Sequence, residues 1–201
     1  MNKLVWVLDS TLREGEQTPG VYFDRHIKLA IAKMLDEIGI NIIETGHPAV
    51  TEEIYDAVNK IAHSGLKTHV GAHARSNNRD VEMAIECGVD FVGIFYCVSD
   101  DRLSSVFKKE LDDAIEQITQ VIKYTKQMKP DVLIRYTPED TVRSEFSNVI
   151  KAASAACAAG ADIISVADTT GYMVPGTDRS MYDYIKKLKT ELNNMGHFPK
   201  I

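Results

Sequence analysis

Short apolar runs alternate along this chain with longer segments whose apolar positions recur every three or four residues. The first pattern fits a strand buried on both faces, the second an amphipathic helix. Strands are predicted at Leu4 to Leu8, Asn41 to Glu44, Lys67 to Gly71, Phe91 to Tyr96, Val132 to Tyr136 and Ile163 to Ala167. Helices are predicted at about Asp24 to Ile38, Glu52 to Ala62, Arg79 to Glu86, Glu110 to Met128, Glu145 to Ala159 and Asp178 to Asn194. Gly39, Gly65, Gly88 and Gly160 stand where helices should stop, as expected of a residue that tolerates the left-handed conformation.

Strand followed by helix, six times over, is the signature of βαβ units around a parallel sheet. A closed (β/α)8 barrel needs eight such units and about 250 residues. This chain has 201 residues and supplies six units, so strands seven and eight are missing. An open six-stranded sheet would leave two unpaired edges and an uncovered apolar interior. The expected fold is therefore α/β, a TIM-type barrel in fragment, with residues 1–201 forming a single catalytic-domain piece. A doubly wound open sheet ranks second, because the first strand–helix loop carries neither GxGxxG nor a P-loop. No Pro/Ser-rich linker, charge block or low-complexity stretch marks a second domain.

Composition narrows the function classes. A hydrophobic share of 44% supports a substantial core. A net charge of -6 argues against nucleic acid, which needs clustered Lys and Arg. No apolar run is long enough to span a bilayer, and Met1-Asn2-Lys3 leads into a strand without a signal-peptide core, so a cytoplasmic location is expected. Cys87, Cys97 and Cys157 show no metal or redox spacing and read as buried free thiols. A nucleophilic Cys97 has no base beside it in the sequence.

In a βα barrel, chemistry sits at the carboxyl ends of the strands. Those positions are polar here: Asp9, Arg13, Glu14 and Gln17 after strand one; Glu44 and His47 after strand two; His73 and Arg75 after strand three; Arg135, Thr137, Glu139 and Asp140 at strand five; and Asp168, Thr169 and Thr170 after strand six. A barrel would gather them at one mouth. Carboxylates, imidazoles and arginines together suit a divalent cation and an anionic, oxygen-rich ligand. Any one of these side chains could equally serve only to pair with a neighbour under the loops.

The string Asp9-Ser10-Thr11-Leu12-Arg13-Glu14-Gly15-Glu16-Gln17, with Glu44 in Ile-Ile-Glu-Thr-Gly and Ala167-Asp168-Thr169-Thr170-Gly171, resembles the homocitrate synthase and 2-isopropylmalate synthase family. These are metal-dependent, lyase-type TIM barrels with a pyruvate carboxyltransferase-like domain, and the likeness is to its N-terminal part. It implies condensation of acetyl-CoA with a 2-oxo acid and a divalent metal, Mg, Mn or Zn. By the same resemblance Glu14 matches a metal ligand, and Arg13 the residue that polarises the 2-oxo carbonyl. Glu44 matches the carboxylate that orients Arg13, and Gln17 and Thr169 match substrate contacts. Glu139, in Thr137-Pro138-Glu139-Asp140, matches a glutamate of the proton-transfer network, while Asp140 reads as structural. The family's next motif, a seventh strand ending in His-x-His that completes the metal site, is absent from this chain. The chain as it stands is therefore expected neither to hold metal tightly nor to turn over.

Two patterns bear on the acceptor. Arg135 before Thr137, with His73, resembles homocitrate synthases, where the arginine faces the distal carboxylate of 2-oxoglutarate. Thr45-Gly46-His47-Pro48-Ala49 instead resembles isopropylmalate and citramalate synthases, with His47 replacing a large apolar residue, and Gly93 lacks the acidic side chain common in lysine-pathway homocitrate synthases. A buried Arg135 would need a dicarboxylate substrate or a pairing with Glu139. The expectation is a 2-oxoglutarate-preferring enzyme. A 2-isopropylmalate or citramalate synthase, a metal-dependent aldolase or lyase of the same superfamily, and an inactive fragment or interaction module remain the rivals. The resemblance further implies small-molecule partners, neither nucleic acid nor membrane, and a homodimeric parent.

Overall fold

A computed structural model describes residues 5–201. Leu4 of the first expected strand, and Met1-Asn2-Lys3, lie outside the described residues. The chain divides into two compact units. The first holds Met1–Gly93, described from residue 5 onward, with Met128–Val132; the second holds Ile94–Gln127 and Leu133–Ile201.

In the first unit β1 (Leu8–Asp9), β2 (Ile42–Glu44) and β3 (His69–Arg75) run parallel, Leu8 opposite Ile42 and Ile43 opposite Val70. Between them lie α1 (Arg25–Glu37) and α2 (Glu52–Ala62), and β3 leads into α3 (Asn78–Glu86). Each helix opens on a cap legible in the sequence: the Asp24 carboxylate accepts from His26 N and Ile27 N, Thr51 Oγ1 from Ile54 N, and Asn77 Oδ1 from Asp80 N. The core is built from Ile43, Val58, Ile61, Ala72, Val81 and Phe91, all fully buried. Gly71 allows the close fit, because a Cβ there would stand 2.6 Å from Phe91 Cδ1.

β4 (Phe91–Cys97) runs across the division between Gly93 and Ile94. The second unit then holds α4 (Asp100–Arg102), which continues as a π-helical turn over Leu103–Phe107, α5 (Leu111–Met128) up to Gln127, β5 (Leu133–Glu139), α6 (Phe146–Ala159), β6 (Ile163–Ile164) and α7 (Met181–Asn194). β5 and β6 are parallel, with Arg135 opposite Ile163. Along β5 burial alternates: Ile134, Tyr136 and Pro138 are buried, while Leu133, Arg135, Thr137 and Glu139 share the other, half-buried face.

The helix ends match expectation closely, with Gly39, Gly65, Gly88 and Gly160 all at positive φ. The strand ends differ more. β3 continues to Arg75, so His73 and Arg75 are strand residues rather than loop residues. β5 passes through Pro138 to Glu139. β1 and β6 are shorter than expected. α7 begins at Met181 rather than Asp178, because Ser180 is the cap, its hydroxyl accepting from Asp183 N. The α4 and π-helical turn was not expected, since Asp100-Asp101-Arg102-Leu103-Ser104-Ser105 has no apolar period.

Candidate functional site

The nine-residue string folds as a compact turn at the end of β1. Asp9 Oδ1 accepts from Thr11 N at 2.9 Å, and the Ser10 carbonyl accepts from both Arg13 N at 3.0 Å and Glu14 N at 2.7 Å. A 3-10 turn over Gly15–Gln17 follows. The turn is anchored from α1 by Lys28, which is 2% exposed: its ammonium donates to the Leu12 carbonyl at 3.1 Å and to Glu16 Oε2 at 2.6 Å. A buried ammonium is tolerated because both partners face it.

Arg13 is thereby held above the end of β2. Its Nε donates to Glu44 Oε2, and its Nη1 to Glu14 Oε1 at 2.5 Å. Glu44 has no exposed surface, and on its other side His73 Nδ1 lies 3.4 Å from Oε1. The Arg13 side chain itself keeps 16% of its surface exposed. His47 donates through Nε2 to Asp80 Oδ2 at 2.6 Å, and its ring stands edge-on to His73, centroids 6.1 Å apart at 88°. Five sequence-predicted residues of the first unit, Arg13, Glu14, Glu44, His47 and His73, thus form one connected cluster. Gln17 closes the 3-10 turn and is exposed. Arg75 binds Asp80 with both Nε and Nη2, a pairing that sequence reasoning did not anticipate.

Among the described residues, no group of three His, Cys, Asp or Glu side chains is placed to hold a metal ion. Glu14 offers one exposed carboxylate, already paired with Arg13. The described donor set therefore does not form a metal cage.

In the second unit Arg135, Thr137 and Glu139 share one face of β5. Arg135 is half-buried rather than buried. Glu139 Oε1 accepts from Arg102 Nη1 at 2.6 Å, so the guanidinium seen on this glutamate comes from the start of the π-helical turn. That turn is fixed in place by Asn148, which donates to Asp100 Oδ1 at 2.8 Å and to the Val98 carbonyl at 3.2 Å. Arg102 was missed because its segment carries no periodicity. Thr137 Oγ1 is buried and finds no hydrogen-bond partner among the described residues. Asp140, buried in a left-handed conformation, binds Arg143 through both carboxylate oxygens. Asp168 accepts from Tyr172 N and Met173 N and so shapes its own loop, leaving Thr169 and Thr170 exposed. Cys97 is buried, and burial pushes its thiol up in pKa, which fits an inert residue.

Comparison with known proteins gives a consistent result. The homocitrate synthase of Pyrococcus abyssi is 44% identical over 182 residues, which cover 90% of this chain and 49% of that protein. The homocitrate synthase of Sulfolobus acidocaldarius is 38% identical over 182 residues, covering 89% of this chain and 38% of that protein. The chain thus spans about half the length, or less, of these curated relatives. Among solved structures, the hydroxymethylglutaryl-CoA lyase of Pseudomonas aeruginosa matches with a TM-score of 0.74 at 20% identity, over 93% of this chain and 64% of that one. The HMG-CoA lyase of Bacillus subtilis matches with a TM-score of 0.70 at 20% identity, over 95% and 63%. At such identity the likeness shows the fold, an α/β TIM-type barrel of which the described residues carry six strand–helix units. A family model described as HMGL-like matches residues 4–198, nearly the whole sequence, and the chain belongs to the HMGL-like family.

Proposed function

We propose that this chain is the catalytic-domain portion of an acyltransferase that condenses acetyl-CoA with a 2-oxo acid, 2-oxoglutarate being the favoured acceptor. One observation carries the reading: Arg13, clamped by the wholly buried Glu44 and by Glu14, in a chain 38–44% identical to homocitrate synthases. A guanidinium held in advance can meet an oxygen on which negative charge develops without reorganising, which is how electrostatic catalysis is achieved.

In the proposed reaction a base removes a proton from the acetyl-CoA methyl group, and the resulting carbanion forms a carbon–carbon bond to the 2-oxo carbon. The carbonyl π electrons move onto its oxygen, which takes up a proton, and hydrolysis of the thioester releases CoA. Arg13 stabilises that oxygen, and Glu44 keeps Arg13 oriented. Glu139 is the proposed base or its proton carrier, with Arg102 setting its position. Gln17, His47, His73, Arg135, Thr137 and Thr169 are proposed substrate contacts; the unpartnered Thr137 hydroxyl supports this for its own position. The guanidinium of Arg135 suits a distal carboxylate. Glu14 is the proposed protein ligand to a divalent metal, which would supply Lewis-acid polarisation of the same carbonyl. A homodimeric, cytoplasmic parent with one catalytic domain completes the proposal; among the described residues no helix is long and apolar enough to cross a membrane.

The lyase names of the structural relatives support a second reading, cleavage of a carbon–carbon bond rather than its formation. Incubating the product of the whole coding sequence with acetyl-CoA and a panel of 2-oxo acids, while following free thiol, separates the two. CoA release should depend on 2-oxoglutarate and fall at least about a hundredfold in Arg13→Ala. Release that requires 2-oxoisovalerate or pyruvate would move the assignment within the family, and release unaffected by Arg13→Ala would reject it.

A further inference from the structure

Asn77 opens α3 as an ordinary helix cap, its side-chain oxygen accepting from Asp80 N at 3.0 Å. In the reciprocal arrangement common at helix starts, the acidic side chain three residues on binds the cap's own amide. Here Asn77 N donates instead to the Arg75 carbonyl at 2.7 Å, and the Asp80 carboxylate faces other groups. Its Oδ2 accepts from His47 Nε2 at 2.6 Å, Arg75 Nε at 2.8 Å and Arg75 N at 3.0 Å; its Oδ1 accepts from Arg75 Nη2 at 2.9 Å.

Asp80 is 1% exposed. Burial alone would disfavour its charge, but the bonds from His47 and Arg75 outweigh that and hold the carboxyl well below the usual range. A carboxylate only accepts hydrogen bonds, so His47 must carry a proton on Nε2. The His47 ring is edge-on to His73, and His73 Nδ1 lies 3.4 Å from the buried Glu44 that clamps Arg13. A half-buried imidazole without such a partner could exchange tautomers and flip its ring; one bonded to a fixed carboxylate cannot do so freely.

We propose that Asp80 is a positioning residue: it locks His47 in the Nε2-protonated form and seats that ring against His73, giving the two imidazoles beside Glu44 and Arg13 a fixed arrangement. Asp80 is withdrawn from the helix cap to do this, and Arg75 holds it in place from the solvent side. The inference concerns the ground-state arrangement and stands whether or not the condensation reading is correct.

Two-bond proton–nitrogen NMR of the chain labelled with 15N-histidine tests it, with His47→Gln assigning the His47 signals. The protein should show His47 with a proton on Nε2, with or without one on Nδ1. Asp80→Ala removes the oxygen that His47 Nε2 shares with Arg75 and so releases the lock, whereas in Asp80→Asn an amide oxygen at the Oδ2 position would still accept from both. In Asp80→Ala a measurable share of neutral His47 should move to the Nδ1-protonated tautomer. His47→Gln should also move the His73 ring signals while backbone shifts beyond the cluster stay in place. A His47 unprotonated at Nε2, an unchanged tautomer in folded Asp80→Ala, or His73 signals indifferent to His47→Gln would each overturn the proposal. If Asp80→Ala does not fold, the first and third measurements still decide it.

Discussion

Glu44 has no contact with solvent, and its carboxylate meets Arg13 on one side and faces His73 on the other. Removing one member of a buried pair leaves the other uncompensated, at a cost of about 3–5 kcal/mol when burial is complete. Arg13 keeps some exposure and a second partner in Glu14, so Glu44→Gln should cost less, about 2–3 kcal/mol, read as a shift in urea midpoint at unchanged slope. The thiol of Cys87 offers a pH test. It is fully buried, and burial raises it to about 12. A thiol in the unfolded chain ionises near pH 8.5, so above that pH the unfolded state binds fewer protons than the folded one. This contribution to stability is therefore complete below about pH 8.5 and is lost as pH rises toward 12. Cys87→Ser should show a flatter alkaline limb in denaturation series, and Cys87 in the native protein should resist thiol reagents near neutral pH.

At the scale of elements, helices were legible to within a few residues because caps and glycine stops are local signals. Strand ends were not, because a strand continues wherever a neighbour offers hydrogen bonds, whatever its own sequence. Pro138 reads as a stop, yet β5 runs through it to Glu139. Polar His73 and Arg75 read as loop residues, yet they lie in β3, on the face opposite buried Ala72 and Ala74. The partners of the site residues were the least legible: Asp80 lay within the third predicted helix with nothing local to mark its partners, and Arg102 lay in an aperiodic segment. Gly71 is another case in which the neighbour decides. Its φ is ordinary, but an added Cβ would meet Phe91 Cδ1 at 2.6 Å and the Ile43 carbonyl at 3.4 Å. Gly71→Ala should destabilise by about 1–3 kcal/mol through overpacking. Gly20→Ala, at φ +82 in open space, should cost about 1–2 kcal/mol from backbone strain alone. Repacking is the distinguishing feature: the near-ultraviolet signal and the Phe91 ring resonances should change in the first variant and not in the second.

For the molecule as a whole, the alternation of strand and helix was enough to specify the barrel type, because that rhythm follows from how a parallel sheet must be connected. The metal site was legible only as a resemblance, and physical chemistry explains why. A divalent ion is held by several donors converging at once, whereas among the described residues no three such donors converge. Glu14, the proposed ligand, is exposed and must compete with its own ion pair to Arg13 before it can bind a cation. The 201-residue chain should accordingly take up Mn2+ or Zn2+ weakly and without fixed stoichiometry. Glu14→Gln should change titration heats by less than about a factor of two. Arg13→Gln, which frees the Glu14 carboxylate, should strengthen the weak binding rather than abolish it. Equimolar, tight metal in the chain alone, lost on Glu14→Gln, would show that further donors reach this carboxylate and that the described cluster is only part of the coordination sphere.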